Sequence, residues 1–123
     1  MLGSKIKRLE DPALLRGKGR YTDDIHLPGM LHAAFVRSPH AHAMIRAIDR
    51  RAALALAGVH AVYTLADLLP HVASATMPVA QPSNAILQHV DPYVLADDEV
   101  RYVGEAVAVA VADTPYVAED AAR

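Results

Sequence analysis

The chain has 123 residues, 53% of them hydrophobic, with no cysteine and a formal net charge of −2. That is the size of one domain able to bury roughly two thirds of its unfolded surface. The lack of cysteine excludes a disulfide framework, a thiolate metal site and an iron–sulfur cluster within it, and the near-neutral balance argues against a dominant electrostatic role.

Residues 1–20 carry Lys5, Lys7, Arg8, Arg16, Lys18 and Arg20 against Glu10 and Asp11, a local balance of +4 against −6 for the remainder. Such a basic arm solvates a terminus or pairs with an acidic neighbouring domain. Nucleic acid is not the expected partner, because no aromatic platform or helix-turn-helix pattern accompanies the charge. Charged residues follow the opening Met-Leu-Gly-Ser where a secretory signal would turn apolar. The longest apolar runs, 52–59 and 106–112, fall far short of the ~18 residues of a membrane span. A cytoplasmic chain without membrane contact is therefore the expectation.

Asp11, Pro12 and Gly17 predict one short helical turn, with Asp at the cap, Pro at the first position and Gly at the exit. Pro28-Gly29 predicts a turn. Residues 30–36 read as a well-covered strand, and 44–48 as a second. Asp49 is placed to cap a helix over 50–57 that Gly58 ends. Period-two alternation predicts a strand over 59–63, and Thr64-Leu65-Ala66-Asp67 a capping box opening another helical turn before Pro70.

Over residues 71–92 regularity fades, which predicts a long exposed connection or a lobe that needs a partner. Order returns at 100–103 and breaks at Gly104-Glu105. The run 106–112 has valines interleaved with alanines and predicts a strand covered on both faces. Thr114 then caps a helix with Pro115 at its first position, expected to be still running at Arg123 and to be followed by a closing strand. Two parts result: a basic arm over 1–20 and one α+β domain over 21–123, incomplete at its C-terminal side.

Convincing chemistry is absent from this pattern, and no catalytic, cofactor-binding or metal-binding residue is assigned. On a strand, His40 and His42 would share a face, but a third ligand with a recognised spacing is missing, and a polar turn after Ser38-Pro39 accounts for them. Gly17-Lys18-Gly19 lacks the strand-to-helix setting of a phosphate loop. Ser4, Ser38, Ser74 and Ser83 lack nucleophile-elbow glycines. Asp97-Asp98-Glu99 has no calcium-loop periodicity and reads as a solvated turn. Glu105, at a break between two apolar runs, is expected to be a structural carboxylate accepting nearby backbone N–H groups rather than a base.

Taken together, several stretches resemble one family. They are Gly19-Arg20-Tyr21-Thr22-Asp23-Asp24 with Leu27-Pro28-Gly29, then Val36-Arg37-Ser38-Pro39-His40-Ala41-His42-Ala43, then Ile48-Asp49 leading to Gly58-Val59. Val100-Arg101-Tyr102-Val103-Gly104-Glu105-Ala106-Val107-Ala108 and the start of the Thr114 helix complete the set. In order and spacing this resembles the opening of the molybdopterin-binding large subunit of the xanthine dehydrogenase, aldehyde oxidase and aerobic carbon monoxide dehydrogenase family.

The resemblance implies an α/β hammerhead: a mixed sheet with short helices, its C-terminal strand truncated. It implies a parent oxidoreductase that inserts oxygen from water into a small substrate at molybdenum held by molybdopterin cytosine dinucleotide, with iron–sulfur clusters and FAD on other domains or subunits. None of those cofactors is expected in this segment. The family's catalytic glutamate and most cofactor ligands belong to later domains, and no motif here matches them. The implied role is structural, with the remaining domains or subunits of a molybdenum hydroxylase as partners and self-association of the isolated segment as a further expectation. A stand-alone, non-catalytic binding module that kept the fold is the alternative.

Overall fold

The computed structural model describes residues 8–78 and 91–123. By its own contacts the chain divides into two units, Met1–Met30 and Leu31–Arg123. No helix among the described residues is long and apolar enough to cross a membrane.

In the first unit, helix α1 (Asp11–Leu14) has Pro in its first turn, where a missing N–H costs nothing. Its N-cap is Glu10 rather than the expected Asp11. Asp11 instead uses its carboxylate to accept the Arg8 N–H at 3.2 Å. The exit is as expected: Gly17 takes φ +66°, and the N–H groups of Gly17 and Lys18 bond back to the carbonyls of Leu14 and Ala13. A 3-10 turn, Thr22–Asp24, follows, and Gly29 supplies the positive φ of the Pro28-Gly29 turn.

The second unit runs β1 (His32–Arg37), β2 (Ala43–Met44), α2 (Arg51–Leu54), β3 (Val59–Tyr63), α3 (Leu65–Leu68), β4 (Glu99–Val100), β5 (Ala106–Ala112) and α4 (Pro115–Ala121). The strands among the described residues form a three-stranded sheet of order β1-β5-β3 and a two-stranded sheet β2-β4, with every pairing antiparallel. The last strand to form in sequence is thus the central one.

Register explains how β5 is used. His32, Ala34 and Val36 of β1 lie opposite Ala112, Ala110 and Ala108, and Val62 of β3 lies opposite Ala110, so these residues share one face. On that face Ala108, Ala110 and Ala112 are fully buried. The core joins Val62, Ala108 and Ala110 to Ala121 of α4, with Val36, Ala53 and Val59 packed against it. Methyl side chains let α4 approach the sheet closely. The expectation that β5 is covered on both faces is corrected here: Val109 and Val111, on the other face, are only half-buried, because α2 and α4 pack on the alanine face.

The expected strand over 44–48 shrinks to Ala43–Met44, extended by one bond from Ile45 N–H to the Asp98 carbonyl at 2.7 Å. Its partner β4 is itself only Glu99–Val100, not the expected 100–103. The ladder stops because the Arg101 N–H turns to the Glu105 carboxylate, and Gly104 closes a turn at φ +89°. The helix expected over 50–57 is shorter, although Asp49 does accept the Arg51 N–H at 3.0 Å. Helix α4 is not still running at Arg123; it ends at Ala121 with Ala122 as its C-cap. Of the fading stretch 71–92, residues 79–90 lie outside the described residues. At its margins Thr76 bridges Tyr93.

Candidate functional site

The ionisable side chains that the fold draws together lie where β4 meets the start of β5. Glu105 is 2% exposed. One of its oxygens accepts the backbone N–H of Arg101, and the other lies 3.8 Å from the Arg101 guanidinium. This is the structural carboxylate that its position after Gly104 predicts, and the N–H it serves is the one released by the end of β4. Around it, Arg37 donates to the Gly104 carbonyl at 2.8 Å, the Ser38 N–H donates to the Glu105 carbonyl at 2.9 Å, and the Gly104 N–H donates to the Ser38 carbonyl at 2.8 Å.

Arg101 is the hub. It donates to Glu99 Oε1 at 3.1 Å and to the Glu99 carbonyl at 3.1 Å, and it lies 4.6 Å over the ring of Tyr93. Glu99 in turn meets His42 Nε2 at 3.0 Å. The hydrogen bond from His42 is the main reason that the Glu99 carboxyl is held below its ordinary value, with the Arg101 charge adding to it against a partial loss of hydration. Each of these carboxylates faces a cation or a donor.

The other candidates separate. His40 and His42 lie outside the strands; His40 donates its N–H to Ser38 Oγ at 3.0 Å. Asp98 reaches Arg101 at 3.9 Å. Ser74 pairs with Thr76, while Ser4 and Ser83 lie outside the described residues. Gly17-Lys18-Gly19 closes a helix, as shown above. Among the described residues no group of three His, Asp or Glu is placed to hold a metal ion, and no buried side-chain polar atom lacks a hydrogen-bond partner.

Sequence reasoning missed two pairs. Arg50 bonds Asp67 at 2.6 Å and the Val62 carbonyl at 2.8 Å, and His60 meets Asp113 at 2.7 Å. In the second pair the partners are 53 positions apart. Only the β3-β5 register brings them together, so no local signal points to it.

The comparisons with known proteins agree with this geometry. The family model for the aldehyde oxidase and xanthine dehydrogenase a/b hammerhead domain matches residues 16–123. The chain is 45% identical over 121 residues to the nicotine 6-hydroxylase large subunit of Paenarthrobacter nicotinovorans, covering 98% of this chain and 14% of that one. It is 47% identical over 120 residues to the carbon monoxide dehydrogenase large chain of Afipia carboxidovorans, with the same two coverages. Among solved structures, the Cu,Mo-CO dehydrogenase in its carbon monoxide reduced state superposes with a TM-score of 0.83 at 48% identity, over 98% of this chain and 14% of that one. The chain thus spans about one seventh of the length of these relatives.

Proposed function

Because the chain belongs to the aldehyde oxidase and xanthine dehydrogenase hammerhead family, we propose that it serves as a non-catalytic structural domain of a molybdenum hydroxylase large subunit. The observation that carries the reading is the alignment of nearly the whole chain with only 14% of such subunits. The relatives are molybdenum enzymes, which implies a molybdopterin cofactor in the parent; we infer its cytosine dinucleotide form. When bound, such a cofactor supplies the centre for oxygen transfer to a small substrate. Among the described residues no group of three His, Asp or Glu is placed to hold a metal ion, and no chemical step is assigned to them.

On this reading the domain acts by contact. It is divided into a basic arm over 1–20 and a hammerhead over 21–123. Its partners are the remaining domains and the subunits that carry iron–sulfur clusters and FAD, in a cytoplasmic enzyme. Separated from them, the segment self-associates through its apolar surface.

A segment exchange tests the reading. The matching residues of the Afipia carboxidovorans large chain are replaced by this chain, and assembled subunit and bound molybdenum are measured. Assembly with molybdenum retained is expected. A chimera that aggregates, or that assembles without molybdenum, overturns the proposed role.

A further inference from the structure

Within the first unit, α1 and the chain that follows it border an open pocket of about 660 Å³, a size within the roughly 300–1,000 Å³ of small-molecule sites. One side of it is apolar. A Cβ built at Gly19 would lie 2.8 Å from Leu14 Cδ2 and 3.6 Å from Tyr21 Cε2, so the leucine and the tyrosine ring both lie against a backbone that glycine leaves bare. Neither is covered from outside: Leu14 is 40% and Tyr21 66% exposed.

The same pocket is lined by Arg8, Lys18 and Arg20, with Glu10 as the one carboxylate among its lining residues. None of the three cations forms an ion pair among the described residues, and the rest of the chain contains no Asp or Glu. Asp11, the nearest other acid in sequence, accepts the Arg8 backbone N–H. Arg16, which would carry the charge beyond the pocket, instead donates to the Pro12 carbonyl at 2.7 Å. Three cations lining one concavity repel each other, and a compact multivalent anion relieves that repulsion.

We propose that this pocket binds a small planar phosphate monoester, its phosphate on Arg8, Lys18 and Arg20 and its ring against Tyr21 and Leu14. Charge selects the anion: three cations and one carboxylate leave +2, matched by a monoester that carries about −1.5 to −2 at neutral pH. Guanidinium groups grip phosphate oxygens in pairs. The tyrosine offers a π-face to a flat ring. An extended acidic polypeptide fits less well, because the charge converges on one pocket rather than following a stripe. The site lies within this chain and is independent of the domain role proposed above.

Adenosine monophosphate, inorganic phosphate and adenosine are titrated separately into the isotope-labelled 123-residue chain, and amide shifts are followed by NMR. The monophosphate should move residues 8–21 alone and bind with a Kd of about 1 mM or tighter, with phosphate and adenosine each at least about tenfold weaker. Arg20→Gln should weaken binding at least about tenfold, and Arg46→Gln, at an exposed arginine of the second unit, should leave it unchanged. If Arg20→Gln disturbs the shifts of the unliganded chain beyond its neighbours, Lys18→Gln, also exposed, takes its place.

Phosphate that binds as tightly as the monophosphate marks an adventitious ion only and overturns the proposal. Adenosine that binds as tightly overturns it as well, since the cations then contribute nothing. Equal losses in Arg20→Gln and Arg46→Gln assign the attraction to diffuse charge, and a short polyglutamate peptide that binds more tightly than the monophosphate assigns the pocket to a polypeptide. Either result overturns it, as does the lack of any shift at about 10 mM monophosphate.

Discussion

At the scale of single residues, two carboxylates do different work. Glu105 is nearly inaccessible and satisfies an N–H that no strand partner reaches. Truncating it strands that donor and leaves Arg101 with one fewer acceptor. Glu105→Ala should therefore cost about 1–3 kcal/mol in urea unfolding, and Glu105→Gln less, since an amide oxygen still accepts. An alanine variant as stable as the parent would show that the turn is held by its backbone bonds alone. Asp67 accepts the N–H and the hydroxyl of Thr64, and these bonds, more than Arg50, hold its carboxyl below the ordinary 3.8. Its pKa is lower folded than unfolded, so the stability it contributes is present above 3.8 and is lost as pH falls from there through the folded value. Urea midpoints measured from about pH 6 down to about pH 2.5 should decline on the acid side, and that decline should be shallower in Asp67→Asn.

At the scale of elements, short pieces are held by their ends. Helix α4 begins at Thr114, whose Oγ1 accepts the Val117 N–H at 3.2 Å. Thr114→Ala should destabilise the chain by about 1 kcal/mol, with Thr114→Ser close to the parent, as read from thermal unfolding. The body of the helix depends on closeness: Ala118 is fully buried, as is Ala110 on the sheet. Ala110→Leu should cost about 1–3 kcal/mol or more, because the added atoms can only push the helix layer and sheet apart. If Ala110→Leu unfolds at the same urea concentration as the parent, the alanine face is not the tight interface described. The capping signals at Thr64 and Thr114 were legible because they are local; the lengths of β2 and β4 were not, because each strand ends where a distant partner stops bonding.

At the scale of the whole molecule, one side of the three-stranded sheet carries the helix layer and the other is only half-buried. The chimera that tests assembly also tests this asymmetry, and polar substitution should act differently on the two faces. Phe35→Asp should leave the free chain folded, being half-exposed there, while reducing the yield of assembled chimera; equal yields would show that this face takes no part in assembly. By itself, the order of residues determined the alternation of β3, the extended run of β5, the caps at Thr64 and Thr114, the turn glycines and the family resemblance, since each depends on neighbours within a few positions. Tertiary structure alone decided that β5 lies in the middle, that its alanines rather than its valines face the helices, and that Arg101, Glu99, His42 and Glu105 converge. Those outcomes depend on register and layering between strands far apart in the chain, and an apolar run reads the same from either side until a helix has been packed against one of them.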